Sequence, residues 1–218
     1  ETAVEVGPGI GILTKELLAR AKRVVAIELD KRLVPLLAMY TSEGGNVHPG
    51  LEVVNANALS VPFPDEPYRV VANIPYHITS PLLRHAFLES PRPPLSMTLL
   101  IQREVAERIC SAEDRGLLTI LVALFGTPRL VRHVPPGCFL PPPKVDSAVL
   151  HVDCFPVPLV NGTELKRLLS LTKIAFGQKR KMLGNTLGHT EGGKEALAAA
   201  GIDPTRRPQT LAIEEWVR

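Results

Sequence analysis

The sequence predicts an α/β protein: an open, mostly parallel sheet flanked by helices, with a small helical domain at its carboxyl end. Three observations point there. From Thr2 onward, short apolar runs alternate with turns and amphipathic stretches, the pattern of repeated strand–helix units. The first run ends in Glu5-Val6-Gly7-Pro8-Gly9-Ile10-Gly11, a glycine-rich turn that leads into a helix-like segment. Beyond residue 163 the strand-like alternation stops and Leu, Ala, Lys and Arg become frequent, which reads as helix.

The elements follow in order. Candidate strands are Ala3–Val6, Val24–Ile27, Glu52–Asn55, Val70–Ala72 and Met97–Ile101, with helical segments at Thr14–Ala21, Lys31–Tyr40, Pro81–Glu89 and Glu104–Ser111 between and after them. Thr79-Ser80-Pro81 has the composition of a helix start, a hydroxyl cap followed by proline in the first turn. Two further strands, Leu130–Val134 and Ser147–Cys154, complete a sheet of seven and enclose the proline-rich stretch from Pro135 to Lys144. Phe155-Pro156-Val157-Pro158-Leu159-Val160-Asn161-Gly162 reads as a linker, so the expected domains are residues 1–158 and 159–218.

Composition narrows the function classes. With 218 residues, 45% hydrophobic and 22% charged, the chain is long enough for a sizeable core and polar enough to be a soluble globular protein. The longest apolar run, Gly116 to Phe125, is too short to span a membrane. The chain starts in a strand without methionine or an apolar leader, so a preceding segment is expected and secretion is not. Cys110, Cys138 and Cys154 form no CxxC pair and the histidines no HxxxH pair, which argues for a reducing, cytoplasmic setting without disulfides or metal. The net charge of +3 is uneven: −1 over residues 1–160 and +4 over residues 161–218. A polyanion docking on the tail is implied.

The chemistry-bearing residues sit where strands end. Glycines after the first strand let the backbone turn sharply and approach a ligand. Glu28, at the end of the second strand, stands where a carboxylate can hold two ribose hydroxyls. The spacing is GxGxG, and Ile12 stands where the dinucleotide fingerprint would have its third glycine. Asn73-Ile74-Pro75-Tyr76 follows the fourth strand. An amide oxygen accepts hydrogens from an exocyclic amine, proline stiffens the turn and an aromatic ring stacks on a base. An ordinary strand-to-helix turn would use Asn and Pro as well.

The glycine turn, then Asn-Ile-Pro-Tyr, then Phe139-Leu140-Pro141-Pro142-Pro143-Lys144-Val145-Asp146-Ser147-Ala148-Val149, in that order, resembles the ribosomal RNA adenine dimethyltransferases. The KsgA-type branch, which acts on small-subunit (16S) ribosomal RNA, is the nearest match. Gln102 to Arg108 and Ala175 to Lys181 are similar to that family as well. The resemblance implies a class I S-adenosylmethionine-dependent methyltransferase, Rossmann-like with a mostly parallel seven-stranded sheet. It implies dimethylation of the N6 amines of two adjacent adenosines near the 3′ end of 16S RNA, inside a small-subunit assembly particle, by a monomer needing no metal.

Residue by residue, the resemblance assigns Gly7, Gly9 and Gly11 to the cofactor's methionine side and Glu28 to its ribose, with Glu5 and Leu29 among the cofactor-binding residues. Asn57 and Ala58 fall beside its adenine. Asn73, Ile74, Pro75 and Tyr76 become the catalytic clamp, with Asn73 also facing the cofactor, and Phe139 the opposite stacking face. Lys173, Lys179, Arg180 and Lys181, with Lys166-Arg167 upstream, would meet RNA phosphates. Phe139 also reads as a core aromatic, and the basic run as a solvated helix face. Two departures stand out: Asn57 replaces the family's aspartate, at a cost of ~1 kcal/mol in the hydrogen bond to the adenine amine, and the family's amino-terminal Gln-Asn-Phe-Leu-like segment is absent. The alternatives are an Erm-type enzyme of large-subunit RNA, a DNA adenine methyltransferase, and a non-catalytic ribosome-assembly or transcription factor of the same fold.

Overall fold

The structure is a computed structural model that describes residues 1–178 and 180–218; Lys179, expected to meet phosphate, lies outside them. Strands β1 (Thr2–Val6), β2 (Arg23–Glu28), β3 (Leu51–Asn55), β4 (Tyr68–Asn73), β5 (Ser96–Gln102), β6 (Gly126–Val134) and β7 (Ser147–Cys154) form one sheet in the order β3-β2-β1-β4-β5-β7-β6. The five strands from β3 to β5 run parallel, and β7 lies antiparallel against β5. This is the open, mostly parallel α/β sheet that the alternation implied. β6 alone begins well before its expected start, because Thr127 and Pro128 continue the extended chain.

Burial explains the order. β1 is buried along its whole length, as a central parallel strand covered on both faces must be. β3, at the sheet edge, is only half-buried. The sheet core comprises Val4, Val24, Ala26, Val70, Met97, Leu99 and Leu150, all essentially without exposure. Helix α1 (Ile12–Leu18) closes one face by laying Leu17 and Leu18 against Ala3 and Val24, and α2 (Val34–Tyr40) starts with Pro35 in its first turn.

After β4 the chain makes a 3₁₀ turn, Tyr76–Ile78, and then α3 (Thr79–Arg84). Thr79 is inside the helix and does not cap it. Its hydroxyl instead donates to the Tyr76 carbonyl at 2.9 Å. The expected straight helix to Glu89 widens into a π turn at His85–Glu89. One extra residue there turns the buried His85 ring inward, with Nε2 2.7 Å from the Val61 carbonyl, Nδ1 3.1 Å from Glu89, and Phe63 edge-on at 5.0 Å.

Two compact units result: Glu1–Ala106 with Arg129–Cys154, and Glu107–Pro128 with Phe155–Arg218. Helix α4 (Arg103–Cys110) runs from the first into the second. In the second unit the expected helical tail is joined by α5 (Leu117–Phe125), the apolar run noted above. Being apolar on every side, α5 is a core helix. It packs against α6 (Gly162–Phe176) and α8 (Ile213–Val217), and the Phe155 and Leu159 amides donate to Phe125 and Leu124 carbonyls at 2.8 and 2.9 Å. α7 (Gly193–Ala199) completes the unit. Trp216 is buried there, stacked on Phe176 at 5.9 Å, so it belongs to the core.

A clasp fixes the carboxyl end of that unit. Arg206 reaches both oxygens of Glu215 at 2.5 and 3.0 Å, and Glu215 Oε2 also accepts the Ala212 amide at 2.8 Å. The Arg206 guanidinium and that amide hold the Glu215 carboxyl down to about 2, from an ordinary 4.5. A depressed pKa contributes stability that is present above pH 4.5 and lost as pH falls toward 2. Glu215→Gln is therefore expected to cost about 1 kcal/mol at neutral pH, and urea titrations should show this difference from wild type shrinking through that acid window.

Candidate active site

Four neighbouring parallel strands deliver their carboxyl ends to one edge of the sheet. β1 ends at the glycine turn, β2 at Glu28 and Leu29, β3 just before Asn57 and Ala58, and β4 at Asn73. The strand order reverses between β1 and β4, the place where open α/β sheets bind ligands. All the expected cofactor-side residues thus lie along a single edge.

Backbone bonds shape the turn. Gly7 donates to the Ile27 carbonyl at 3.0 Å and Gly11 to Pro8 at 3.0 Å. Gly9 and Gly11 have φ of +60° and +97°, the left-handed region that disfavours side chains. A Cβ on Gly9 would face open space, whereas one on Gly11 would lie 2.7 Å from Leu37 Cδ1 and 3.0 Å from Thr41 Cγ2. Gly11 therefore lets α2 pack close, and Gly9 leaves room beside the turn.

Two buried carboxylates border that room. Glu28 accepts the Gly9 amide on Oε2 at 3.1 Å and the Asp30 amide on Oε1 at 2.8 Å, so the turn and its acidic partner hold each other in place. Asn55 locks the neighbouring strand end by donating to the Glu28 carbonyl at 2.8 Å. Glu5 is 1% exposed, and its Oε2 has no hydrogen-bond partner among the described residues. Burial pushes its carboxyl up to about 7, opposed by the Thr14 hydroxyl and reinforced by the Glu28 charge. Asn57 is exposed and folds into its own turn, Oδ1 accepting the Leu59 amide at 3.0 Å.

The clamp segment adjoins this edge. Asn73 is the last residue of β4, paired with Leu100 of β5, and its side chain makes no hydrogen bond among the described residues. Ile74 is 2% exposed and anchors the turn; Tyr76 is half-buried. β7 runs antiparallel, so the loop that precedes it returns to the same edge. Phe139, Pro141 and Pro143 of that loop line, with Asn73, Ile74, Pro75 and Tyr76, a cleft of about 250 Å³. Phe139 lines the cleft and is only half-buried, which removes the core reading.

The ribosomal RNA adenine dimethylase family model matches residues 1–218, the entire chain. The chain belongs to this family. The chain is 40% identical to the ribosomal RNA small subunit methyltransferase A of Dehalococcoides mccartyi over 99% of its own length and 76% of that protein. It is also 40% identical to the enzyme of the same name from Clostridium perfringens, over 99% and 78%. Among solved structures it resembles the dimethyladenosine transferase of Plasmodium falciparum (TM-score 0.84, 27% identity, 99% of this chain and 87% of that one). It also resembles the 23S rRNA methyltransferase ErmE (TM-score 0.78, 31% identity, 99% and 88%). The chain is thus an rRNA methyltransferase by family.

The remaining expected residues divide by unit. Lys173 is exposed in the last turn of α6, and Arg180 and Lys181 are exposed just after it, all in the second unit. Arg103 stands 3.6 Å from Asp146. No group of acidic, His and Cys side chains that could hold a metal occurs among the described residues, and none of the described helices is long and apolar enough to cross a membrane. The sequence reading missed Asn55, Thr14 and Ser147. Asn55 and Thr14 carry no distinctive spacing. Ser147 gains its partner only through the pairing of distant strands.

Two outcomes test this edge. Gly11→Ala should destabilise the protein by about 1–3 kcal/mol, and Gly9→Ala, which meets no neighbour, by less in the same urea titration. A carboxyl whose folded pKa is raised contributes stability that is present below pH 4.5 and lost as pH rises through about 7. Glu5→Gln should therefore gain on wild type by on the order of 2 kcal/mol as pH rises across that window, read from unfolding midpoints.

Proposed function

We propose that the dimethylase transfers methyl groups from S-adenosylmethionine to the N6 amines of two adjacent adenosines in a 3′-terminal hairpin of 16S ribosomal RNA, within a small-subunit assembly particle. The observation that carries this reading is the convergence of Asn73, Ile74, Pro75, Tyr76 and Phe139 on one cleft at the sheet edge that also holds Gly9 and Glu28. Identity of 40% to enzymes named for the small subunit, against 31% to one named for 23S RNA, favours the small-subunit substrate. The protein works as a monomer in the cytoplasm.

The residues present suit that cofactor. Open space beside Gly9 admits a ligand against the backbone, Glu28 keeps free lone pairs for ribose hydroxyls, and the unpartnered Glu5 Oε2 offers a buried negative group to a cationic ligand. Leu29 and Ala58 are the apolar neighbours of the base, Asn57 its polar contact, and Gly7 and Gly11 shape the turn. The cofactor supplies a methyl group carried on a positively charged sulfur.

The clamp prepares the acceptor. An adenine amine is a weak nucleophile because its lone pair is shared with the ring, and within a stacked helix it is out of reach, so the base must be extruded. Tyr76 and Phe139 receive it by stacking, worth about 1–3 kcal/mol per base. Asn73 Oδ1 and the Ile74 carbonyl accept the amine hydrogens and aim the lone pair; the buried Ile74 side chain fixes its carbonyl. Catalysis is then positioning and electrostatics, with the proton of the alkylated amine lost to solvent. Lys173, Lys179, Arg180 and Lys181 hold phosphates, which makes RNA affinity salt-dependent.

Asn73→Ala should lower cofactor-dependent methylation of small-subunit particles by on the order of 100-fold. Equal transfer by wild type and variant would refute the clamp, and wild-type methylation of naked large-subunit RNA would refute the substrate.

A further inference from the structure

The Tyr76 phenol is not free to contact a ligand. Its Oη lies 2.6 Å from Ser147 Oγ, 71 residues away in sequence. Ser147 is the first residue of β7, has no exposure and pairs with Gln102 at the end of β5. The other end of Tyr76 is equally constrained: Ile78 donates to the Pro75 carbonyl at 3.1 Å across the 3₁₀ turn, and Thr79 Oγ1 bonds the Tyr76 carbonyl. A phenol oxygen bonds most favourably in the plane of its ring, so a ring held at its backbone and bonded at that oxygen has both its axis and its plane restrained before any base arrives.

We infer that Ser147 is a positioning residue for the acceptor base: its hydroxyl fixes the Tyr76 ring in the plane on which the target adenine stacks. Ser147 is absent from the residues lining the cleft, so it acts only through Tyr76. The bond also accounts for tyrosine at a position where stacking alone would be served by phenylalanine. Preorganising a side chain removes the ordering cost from the binding step. It does so here because β7, bonded along its length to β5, holds the serine rigidly.

This inference rests on the function proposed above, and the experiment separates the two. Ser147→Ala, Tyr76→Phe and the double variant are compared for kcat/KM on small-subunit particles, for cofactor affinity by calorimetry, and for the fluorescence of RNA carrying 2-aminopurine at the target position. Each single variant should lower kcat/KM by about threefold to tenfold, leave cofactor affinity within about twofold, and brighten a fluorophore that the fixed ring quenches. The double variant should be no worse than the poorer single one, because both remove the same bond. Wild-type rates in the single variants, losses that multiply, or a loss of cofactor affinity after Ser147→Ala would overturn the role. Tyr76→Phe removes the bond from the other side and decides the matter if Ser147→Ala does not fold. Transfer that needs Asn73 but neither hydroxyl sinks this inference alone; a wild-type protein without transfer sinks both.

Discussion

Parallel pairing of β3, β2, β1 and β4 is the constraint on which the rest of the site depends. Each parallel connection must carry the chain back before the next strand begins, so all four strands end at the same edge. The glycine turn, Glu28, Asn57 and Asn73 are scattered over 67 residues, yet each begins within two residues of a strand's carboxyl end. Register does the rest. Side chains alternate across a strand, so Ile74 goes into the core while Asn73 is left exposed beside it.

The edge stores an electrostatic imbalance. Glu28 is stabilised by two backbone amides, while Glu5 is buried beside it with one oxygen unbonded. Burying a carboxylate without partners is costly, and the raised pKa of Glu5 records that cost. A cation placed there would relieve it, which is the charge carried by the cofactor proposed for the site. Asn57 carries no such charge, and its own turn takes one of the two lone pairs on its side-chain oxygen. The acidic character lies on the glycine-turn side of the edge.

Much of this was legible in the sequence because it rests on local rules. Apolar alternation located the seven strands, glycine spacing located the turn, and Asn-Ile-Pro-Tyr announced itself by composition and place. Most of what escaped depended on distant chain. Thr79 looks like a cap, but its hydroxyl turns back to Tyr76. His85 sits in the widened turn, where its ring nitrogen reaches a carbonyl 24 residues earlier. The run from Leu117 to Phe125 has the composition of a buried helix or strand alike, and its packing on α6 and α8 decides. Ser147 stood in the quoted motif without a role, since nothing in its neighbours names Tyr76.

The antiparallel entry of β7 has a consequence for how the site comes into being. Every group on the cofactor side and the clamp itself is encoded by residue 76, whereas the opposite wall and the serine behind Tyr76 come only with residues 139–147. Contacts that far apart in the chain form late. During synthesis the protein therefore acquires the groups proposed for its methyl donor first, and lacks the proposed shelter for a base until the sheet takes in its last-made strand.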